Sequence, residues 1–369
     1  MSMDVLERPV TRREVKVGIV DCDIHPTMNR LSALYPYLDE RWHRHIETFG
    51  VPVPQAFAAA MSYPRWGRDG GNRLDSRPPN GGAPGSDLAF MQEQHLDPNN
   101  IELGVLQPMR PQAINQRNIE LGVALASAVN DWQVATWCEP EPRLKGSLIV
   151  PQEDPAAAIV EIERHAGSPH FVQVGLSPRG IEPLGRKRYW PVYEAAEAHG
   201  MPIGIHVGGF SGRPPSNLGW HSFYIEDHHL TSEAMQALVM SFVLEGVFEQ
   251  FPRLKLVLIE GGFVWCPSLC WRMDKNWKIL KSEVPHLKRA PSEYVREHIW
   301  FTTQPVDEPA DPSYLADMME WLGWDRILFS TDYPHWDFDD PKFAFKTRLG
   351  ETERKMIFRD NARALYGVA

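Results

Sequence analysis

The sequence predicts a closed barrel of eight parallel β-strands alternating with α-helices, and three observations support this fold class. Eight short apolar or β-branched runs recur along the 369 residues, helical segments lie between them, and no GxGxxG motif follows any of the runs. The first two observations are typical of repeated βα units, which build parallel sheets. The third argues against a two-domain dinucleotide-binding arrangement, which the chain length alone would allow.

The elements follow from the positions of these runs. The runs predict strands at residues 14–20, 101–106, 144–150, 171–176, 202–207, 255–260, 298–303 and 326–331. Helices are predicted at residues 118–136, 155–165, 190–199 and 232–248.

We expect one domain over residues 1–369, with residues 26–100 forming a long insertion between the first two strands. The middle of this insertion, residues 62–86, is rich in Gly, Pro and charged residues. Such a stretch is typical either of a lid over a functional site or of a disordered insertion. In barrels of this class the active site lies at the carboxyl ends of the strands, which is where this insertion begins.

The composition restricts the class of partner. With 38 Lys and Arg against 48 Asp and Glu, the net charge is −10, which argues against nucleic acids and anionic membranes. The first residues lack the apolar segment of a secretory signal, and no run is long enough to span a membrane. The four cysteines, including Cys266 and Cys270, are best explained as buried small residues. A cytoplasmic protein that acts on small molecules is therefore predicted.

The motif VDCDIHP, residues 20–26, carries acidic and imidazole side chains at the end of the first predicted strand. Because side chains alternate along a strand, we expect Asp21, Asp23 and His25 to share one face. Two carboxylates and an imidazole on the face that lines a barrel mouth would suit a divalent cation.

Three further strands end in ionisable residues. His206 ends the fifth strand, Glu260 ends the sixth, and Asp332 follows the eighth, with His335 three residues later. An ionisable group at the end of an apolar strand is costly to bury unless it is paired or bound to a metal. Barrel closure would bring these strand ends to one rim, so together they predict a metal site.

These motifs resemble those of the amidohydrolase superfamily, in particular the amidohydrolase-related branch that includes aminocarboxymuconate semialdehyde decarboxylase and the resorcylate-type decarboxylases. The resemblance extends from the first motif through the fifth-strand histidine and residues 246–262 to the STDYP motif at 330–334. By position, it implies the metal ligands Asp23, His25, His206 and Asp332.

The sequence departs from the hydrolytic pattern of that superfamily. Asp23 replaces the first histidine of a His-x-His pair, Glu260 replaces a histidine after the sixth strand, and no lysine lies at these strand ends. With His335 and one of the pair His228 and His229, the potential ligands exceed what one ion can use, so two ions are expected.

A carboxylate-rich pair of ions resembles the dinuclear oxygenases related to this branch. The resemblance implies O2-dependent hydroxylation of a small carboxylate or amino acid at an Fe/Fe or Fe/Mn site. We then expect a ferredoxin or reductase as electron donor. The expected ligands are Asp23, His25, His206, Glu260, Asp332 and His335, and the expected catalytic residues are Glu260, Asp332 and His229.

Two alternatives remain open at this stage. One is redox-neutral decarboxylation or hydrolysis at a single Mn or Zn ion, and the other is a supporting subunit paired with an active paralogue. A homo-oligomer or a hetero-oligomer with such a paralogue is expected. Candidates for substrate binding are Arg272, Arg110 and Trp336, although an ion pair with Asp274 is the simpler interpretation of Arg272.

Overall fold

The structure is a computed structural model, which describes residues 18–51, 71–111, 113, 114, 116–207, 216 and 219–368. Eight parallel strands form one sheet in which each strand pairs with its neighbours in sequence order. The strands are β1 (Ile19–Ile24), β2 (Ile101–Leu106), β3 (Leu144–Ile149), β4 (Phe171–Leu176), β5 (Ile203–His206), β6 (Leu256–Ile259), β7 (Ile299–Thr302) and β8 (Ile327–Leu328).

Helices follow or connect these strands. They are α1 (Glu40–Phe49), α2 (Leu88–Met91), α3 (Ile119–Gln133), α4 (Pro155–Arg164), α5 (Trp190–Ala198), α6 (Tyr224–Leu244), α7 (Val247–Gln250), α8 (Cys266–Leu280), α9 (Pro291–His298), α10 (Ser313–Leu322), α11 (Glu351–Lys355) and α12 (Asn361–Tyr366).

Hydrogen bonds between β1 and the segment that begins at the end of β8 close the sheet into a barrel. The amide of Cys22 donates to the carbonyl of Phe329 at 3.0 Å, and the amide of His25 donates to the carbonyl of Tyr333 at 2.7 Å. The eight-stranded α/β barrel predicted from the sequence is therefore confirmed.

The buried apolar residues form two clusters. The larger lies between the sheet and the surrounding helices. The smaller joins residues of six strands, which can meet only inside the barrel, and α12 contributes to it. Its strand residues include Val20 and Val257, near the amino-terminal ends of β1 and β6, so α12 closes that end of the barrel. The opposite end, formed by the carboxyl ends of the strands, is left for a site.

Strand β1 differs from its prediction. It spans Ile19–Ile24, later than the predicted 14–20, and residues 14–17 lie outside the described residues. All six of its residues are buried, as expected for a parallel strand covered on both faces. The prediction started from the run at residues 14–20 and took the two aspartates as the end of the strand, so it was placed too early.

The alternation of side chains along β1 is also interrupted. Val20 and Cys22 belong to the inner cluster, whereas Ile19 and Ile24 belong to the outer one. The register with β2 shifts between Asp21 and Ile24, and such an irregularity resets which face a side chain occupies. The expectation that Asp21 shares a face with Asp23 and His25 is therefore wrong.

Helix α6 begins at Tyr224, eight residues before the predicted start, so His228 and His229 lie in its first two turns. The four cysteines are buried and free, in agreement with the prediction. Within the described part of the chain, no helix has the length and apolar character needed to cross a membrane.

The described parts of the 26–100 insertion contact the segment after β8. The amide of Arg73 donates to the carbonyl of Pro334 at 3.0 Å, and that of Trp336 donates to the carbonyl of Gly71 at 3.3 Å. Gly85 has φ +73°, and a Cβ there would lie 2.4 Å from the carbonyl oxygen of His25, so only glycine fits. Residues 52–70 of the predicted lid lie outside the described residues.

Candidate metal centre

The barrel brings together the ends of four strands at its carboxyl-terminal mouth. Asp23 lies near the end of β1, His206 is the last residue of β5, and Glu260 directly follows β6. Asp332 follows β8, and its amide donates to the carbonyl of Asp23 at 3.1 Å. These side chains lie together at one rim of the barrel, as the sequence predicted.

Two imidazoles face the carboxylates. The Nε2 atom of His25 lies 2.7 Å from an oxygen of Asp332 and 3.2 Å from an oxygen of Asp23. The Nε2 atom of His206 lies 3.2 Å from Glu260 and 3.5 Å from Asp23. The candidate donor atoms of Asp23, His25 and His206 all lie within 4.8 Å of one another.

Several of these atoms are buried without a hydrogen-bond partner among the described residues. They are both carboxylate oxygens of Asp23 and the Nε2 atoms of His25 and His206. Buried polar atoms are ordinarily hydrogen-bonded, and leaving one unsatisfied costs about 1–3 kcal/mol. A divalent cation among these atoms would satisfy all four, so the residues fit a metal.

The other ring nitrogens are held by the backbone. His25 Nδ1 donates to the carbonyl of Gln107 at 2.9 Å, and His206 Nδ1 donates to the carbonyl of Val207 at 2.5 Å. A proton fixed on Nδ1 leaves Nε2 with a free lone pair, which is the form of histidine that binds a metal.

The buried charges shift the pKa values in opposite directions. Burial alone would raise the pKa of Asp23, but His25 and His206 outweigh it and hold that pKa below its ordinary value. Burial, followed by the carboxylates of Asp332, Asp337 and Asp23, raises the pKa of Glu260 well above its ordinary value. Glu260 is thus the carboxyl group at the mouth that most readily keeps a proton.

Two of the candidate residues have a strained backbone. Glu260 has φ +60° and Asp332 has φ +63°, a region that non-glycine residues seldom occupy. Strain of this kind persists where surrounding structure holds the residue in place, and it is concentrated at functional sites.

A second group of donors adjoins the first. His228 Nε2 lies 2.8 Å from an oxygen of Asp337, and Glu260 completes a set whose donor atoms lie within 4.8 Å of one another. His335 Nδ1 lies 2.6 Å from Asp332, and its ring stacks on that of His25 at 4.4 Å. The predicted ligand His335 therefore lies beside the centre, where its Nδ1 atom is hydrogen-bonded to Asp332.

Three predicted site residues are exposed to solvent. His229 is exposed and its Nδ1 donates to the carbonyl of Ile225, so it does not face the mouth. Arg272 is exposed on α8, and Arg110 is exposed after β2. Trp336 does lie near the site, with its ring centre 5.7 Å from that of His228.

Sequence reasoning chose His229 over its neighbour His228, and it missed Asp337 and Gln107. His228 precedes the buried Met235 by seven residues on α6, so helical periodicity would have placed it, and not His229, on the inward face. Asp337 stands five residues after Asp332 in the same loop. Nothing in the local sequence distinguishes Gln107, because its role depends on a contact with His25 far away in the chain.

A pocket that opens to solvent adjoins the centre at His206. The described residues that line it come from the ends of β2 to β5, are mostly apolar and include no lysine or arginine: Gln107, Pro108, Met109, Pro111, Ala113, Ile114, Ile149, Gly175, Leu176, Ser177, His206 and Val207.

Comparison with known proteins gives consistent results. The sequence pattern of the family described as Amidohydrolase matches residues 20–368. The γ-resorcylate decarboxylase of Polaromonas sp. strain JS666 is 26% identical over 289 residues, covering 76% of this chain and 87% of the relative.

Solved structures agree with the fold. A dihydroxybenzoic acid decarboxylase from Polaromonas sp. JS666, with bound manganese and 2-nitroresorcinol, matches with a TM-score of 0.65 and 21% identity over 95% of this chain and 97% of that chain. A 5-carboxyvanillate decarboxylase from Novosphingobium aromaticivorans, also with manganese, matches with a TM-score of 0.71 and 16% identity over 96% and 97%.

These relatives correct the expected chemistry. The curated relative is named as a decarboxylase, which overturns the expectation of O2-dependent hydroxylation by a monooxygenase with non-haem iron. Without that reaction, nothing requires a ferredoxin or reductase. The excess of ligands over what one ion needs suggested oxygen chemistry, but the same residues serve a redox-neutral reaction equally well.

Proposed function

The chain belongs to the amidohydrolase family, in the amidohydrolase-related branch that its motifs resemble, and on this premise we propose that it decarboxylates a small aromatic acid at a divalent metal. The observation that carries the proposal is the set of unpartnered buried donor atoms of Asp23, His25 and His206 beside an apolar pocket. A redox-neutral reaction needs no partner that supplies electrons.

The ligands in this proposal are Asp23, His25, His206 and Asp332. Mixed carboxylate and imidazole donors suit manganese or zinc, and manganese is the ion named with the two similar structures. When bound, the ion would supply a Lewis acid that holds the substrate's carboxylate in place.

The protein's own residues then have two tasks. The apolar pocket beside His206 holds the aromatic ring and excludes water from it. Loss of CO2 breaks one carbon–carbon bond, and the same ring carbon must receive a proton. Glu260, whose pKa is raised by burial and by the neighbouring carboxylates, would supply that proton and regain one from solvent. The balance is one acid in, and one arene and one CO2 out.

The test measures CO2 release from hydroxybenzoates by manganese-loaded protein, with and without O2. We expect turnover that is unaffected by removing O2. Glu260→Gln should lower kcat at least about a hundredfold, as expected for loss of a general acid, while the bound metal stays. Asp332→Asn should instead lose the metal. Hydrolysis of esters or amides with no CO2 release would contradict the proposal.

Whether one or two ions bind to the centre is still a prediction. His228, Glu260 and Asp337 offer a second position, and Glu260 would then be a ligand in place of a proton donor. Metal content per chain decides between these roles. If two ions bind, His228→Ala should remove one of them, whereas the matched control His229→Ala, on the exposed neighbour, should remove none.

The remaining predictions concern assembly and access. An oligomer with itself or a paralogue and a cytoplasmic location remain proposals, and full activity of the chain alone would exclude a purely supporting role. The contacts of residues 71–73 with residues 334–336 support a lid role for the described end of the insertion. They place that end over the side of the mouth where Asp332 and His335 lie.

A further inference from the structure

Gln107 joins the candidate metal centre to the neighbouring pocket. It directly follows β2, its amide donates to the carbonyl of Ile24 at 2.7 Å, and its carbonyl accepts from His25 Nδ1 at 2.9 Å. The backbone of Gln107 is thus fixed from both sides. Changing its side chain leaves both of these backbone contacts available.

The side chain of Gln107 lines the pocket and is 5% exposed. Its Nε2 atom is buried and has no hydrogen-bond partner among the described residues. A buried amide N–H left in this state is costly, so the side chain suits a ligand that brings an acceptor. This unsatisfied donor lies in a wall whose other described members are mostly apolar.

The charge of the pocket narrows the choice of acceptor. The described residues that line it include no lysine or arginine to balance a second carboxylate. Burying a charged group without a partner is far more costly than burying a neutral oxygen. The described part of the wall therefore suits an uncharged oxygen on the ring, such as a hydroxyl or methoxyl group.

We propose that Gln107 is a specificity-determining residue whose carboxamide donates a hydrogen bond to a neutral oxygen substituent of the substrate. It selects oxygenated aromatic acids over unsubstituted ones. This inference rests on the proposed function for the identity of the substrate, but the recognition itself is measurable without turnover.

The experiment measures ligand binding to the manganese-loaded protein by calorimetry. The probes are nitrobenzene and 2-nitroanisole, whose nitro group imitates the planar carboxylate but cannot leave as CO2. We expect 2-nitroanisole, which adds a neutral methoxyl oxygen, to bind about tenfold more tightly than nitrobenzene, the effect of one good hydrogen bond.

The variant Gln107→Leu removes the amide at similar size, and Met109→Leu changes another residue of the same wall as a control. The tenfold preference should fall to about one in Gln107→Leu and persist in Met109→Leu, with manganese affinity unchanged in both. Equal binding of 2-nitroanisole and nitrobenzene by the wild type would overturn the inference even if a variant fails to fold. So would a preference that persists in Gln107→Leu.

The two proposals fail in different ways. If the preference for 2-nitroanisole holds but no aromatic acid releases CO2, decarboxylation is wrong and the role of Gln107 stands. If acids are decarboxylated without any preference between the two probes, the role of Gln107 is wrong and decarboxylation stands. If neither probe binds, the inference about Gln107 is wrong, and CO2 release alone decides whether decarboxylation stands.

Discussion

Two aspartates of β1 lie two residues apart and are both completely buried, yet their surroundings differ. Asp21 accepts four hydrogen bonds: from the amide and hydroxyl of Thr331 at 2.9 and 2.6 Å, from His95 at 2.8 Å and from the amide of Asp23 at 3.2 Å. Asp23, by contrast, has two carboxylate oxygens without a hydrogen-bond partner among the described residues.

The difference separates two uses of a buried charge. Asp21 is satisfied by the protein and links β1 to the segment after β8, so its charge serves the fold. Asp23 faces two imidazoles whose lone pairs meet it at the mouth, so its charge is available to a bound cation. Burial does not distinguish the two aspartates, but the number of carboxylate oxygens that accept a hydrogen bond does.

The largest effect should follow from changing the unsatisfied carboxylate. Asp23→Asn keeps the size of the side chain but removes its charge, so we expect bound metal to be lost and turnover to fall about a thousandfold. Folding stability without metal should fall, because His25 and His206 lose the carboxylate that they face, but by less than for Asp21→Ala, whose carboxylate accepts four hydrogen bonds. Metal analysis, kinetics and urea unfolding report these quantities separately. If the variant kept the metal, the claim that Asp23 binds a cation and Asp21 does not would be wrong.

The reverse pattern is expected for Asp21→Ala. This change leaves His95 and Thr331 unpaired in the interior, which should lower the free energy of unfolding by about 3 kcal/mol. Urea unfolding of metal-free protein measures it, with Asp23→Asn as the matched comparison. Equal stabilities for the two variants would show that hydrogen-bond satisfaction is the wrong criterion.

Metal addition should stabilise only the protein with an intact mouth. At a free manganese concentration of one hundred times Kd, linkage predicts a gain of about 2.7 kcal/mol for the wild type. The same addition should leave Asp23→Asn unchanged. Thermal unfolding at graded manganese concentrations gives both results, and an equal gain in the variant would place the ion elsewhere.

A satisfied carboxylate away from the mouth provides a smaller test by pH. Burial by itself would raise the pKa of Glu161, but contacts with His165, Arg164 and Asn130 outweigh it and lower that pKa to about 2. Because the folded pKa lies below the unfolded one, its contribution is complete above about pH 4.5 and is lost as pH falls towards 2.

Glu161→Gln should therefore cost about 2 kcal/mol at pH 7, after allowance for the partly exposed Arg164. The gap between wild type and variant should narrow at pH 3. Urea unfolding at the two values measures it. A gap that stays constant with pH would mean that Glu161 gains nothing from its charge.

The sequence was sufficient for the barrel because most strands are apolar runs bounded by helices, a pattern that parallel packing itself imposes. Strand β1 was misplaced because its buried aspartates have the composition of a loop. The side of the sheet on which Asp21 lies depends on a register shift between strands, which no local pattern encodes.

The candidate site was predictable where chain order determines position and not where packing decides. Barrel closure alone brings together the side chains that stand at strand ends, because all the strands end at the same rim. These residues are Asp23, His25, His206, Glu260 and Asp332. The choice of His228 over His229 depends on where α6 begins, which lies well before the apolar part of that helix. The reaction was misjudged because the same ligand types serve both oxygen chemistry and redox-neutral chemistry.

Helix α12 covers the amino-terminal end of the barrel, so the interior is closed at that end. In the proposed reaction, the acid that enters and the arene and CO2 that leave would therefore use the same opening. The described part of the insertion lies beside that opening, hydrogen-bonded to residues 334 and 336. The products would then have to leave before the next substrate could enter.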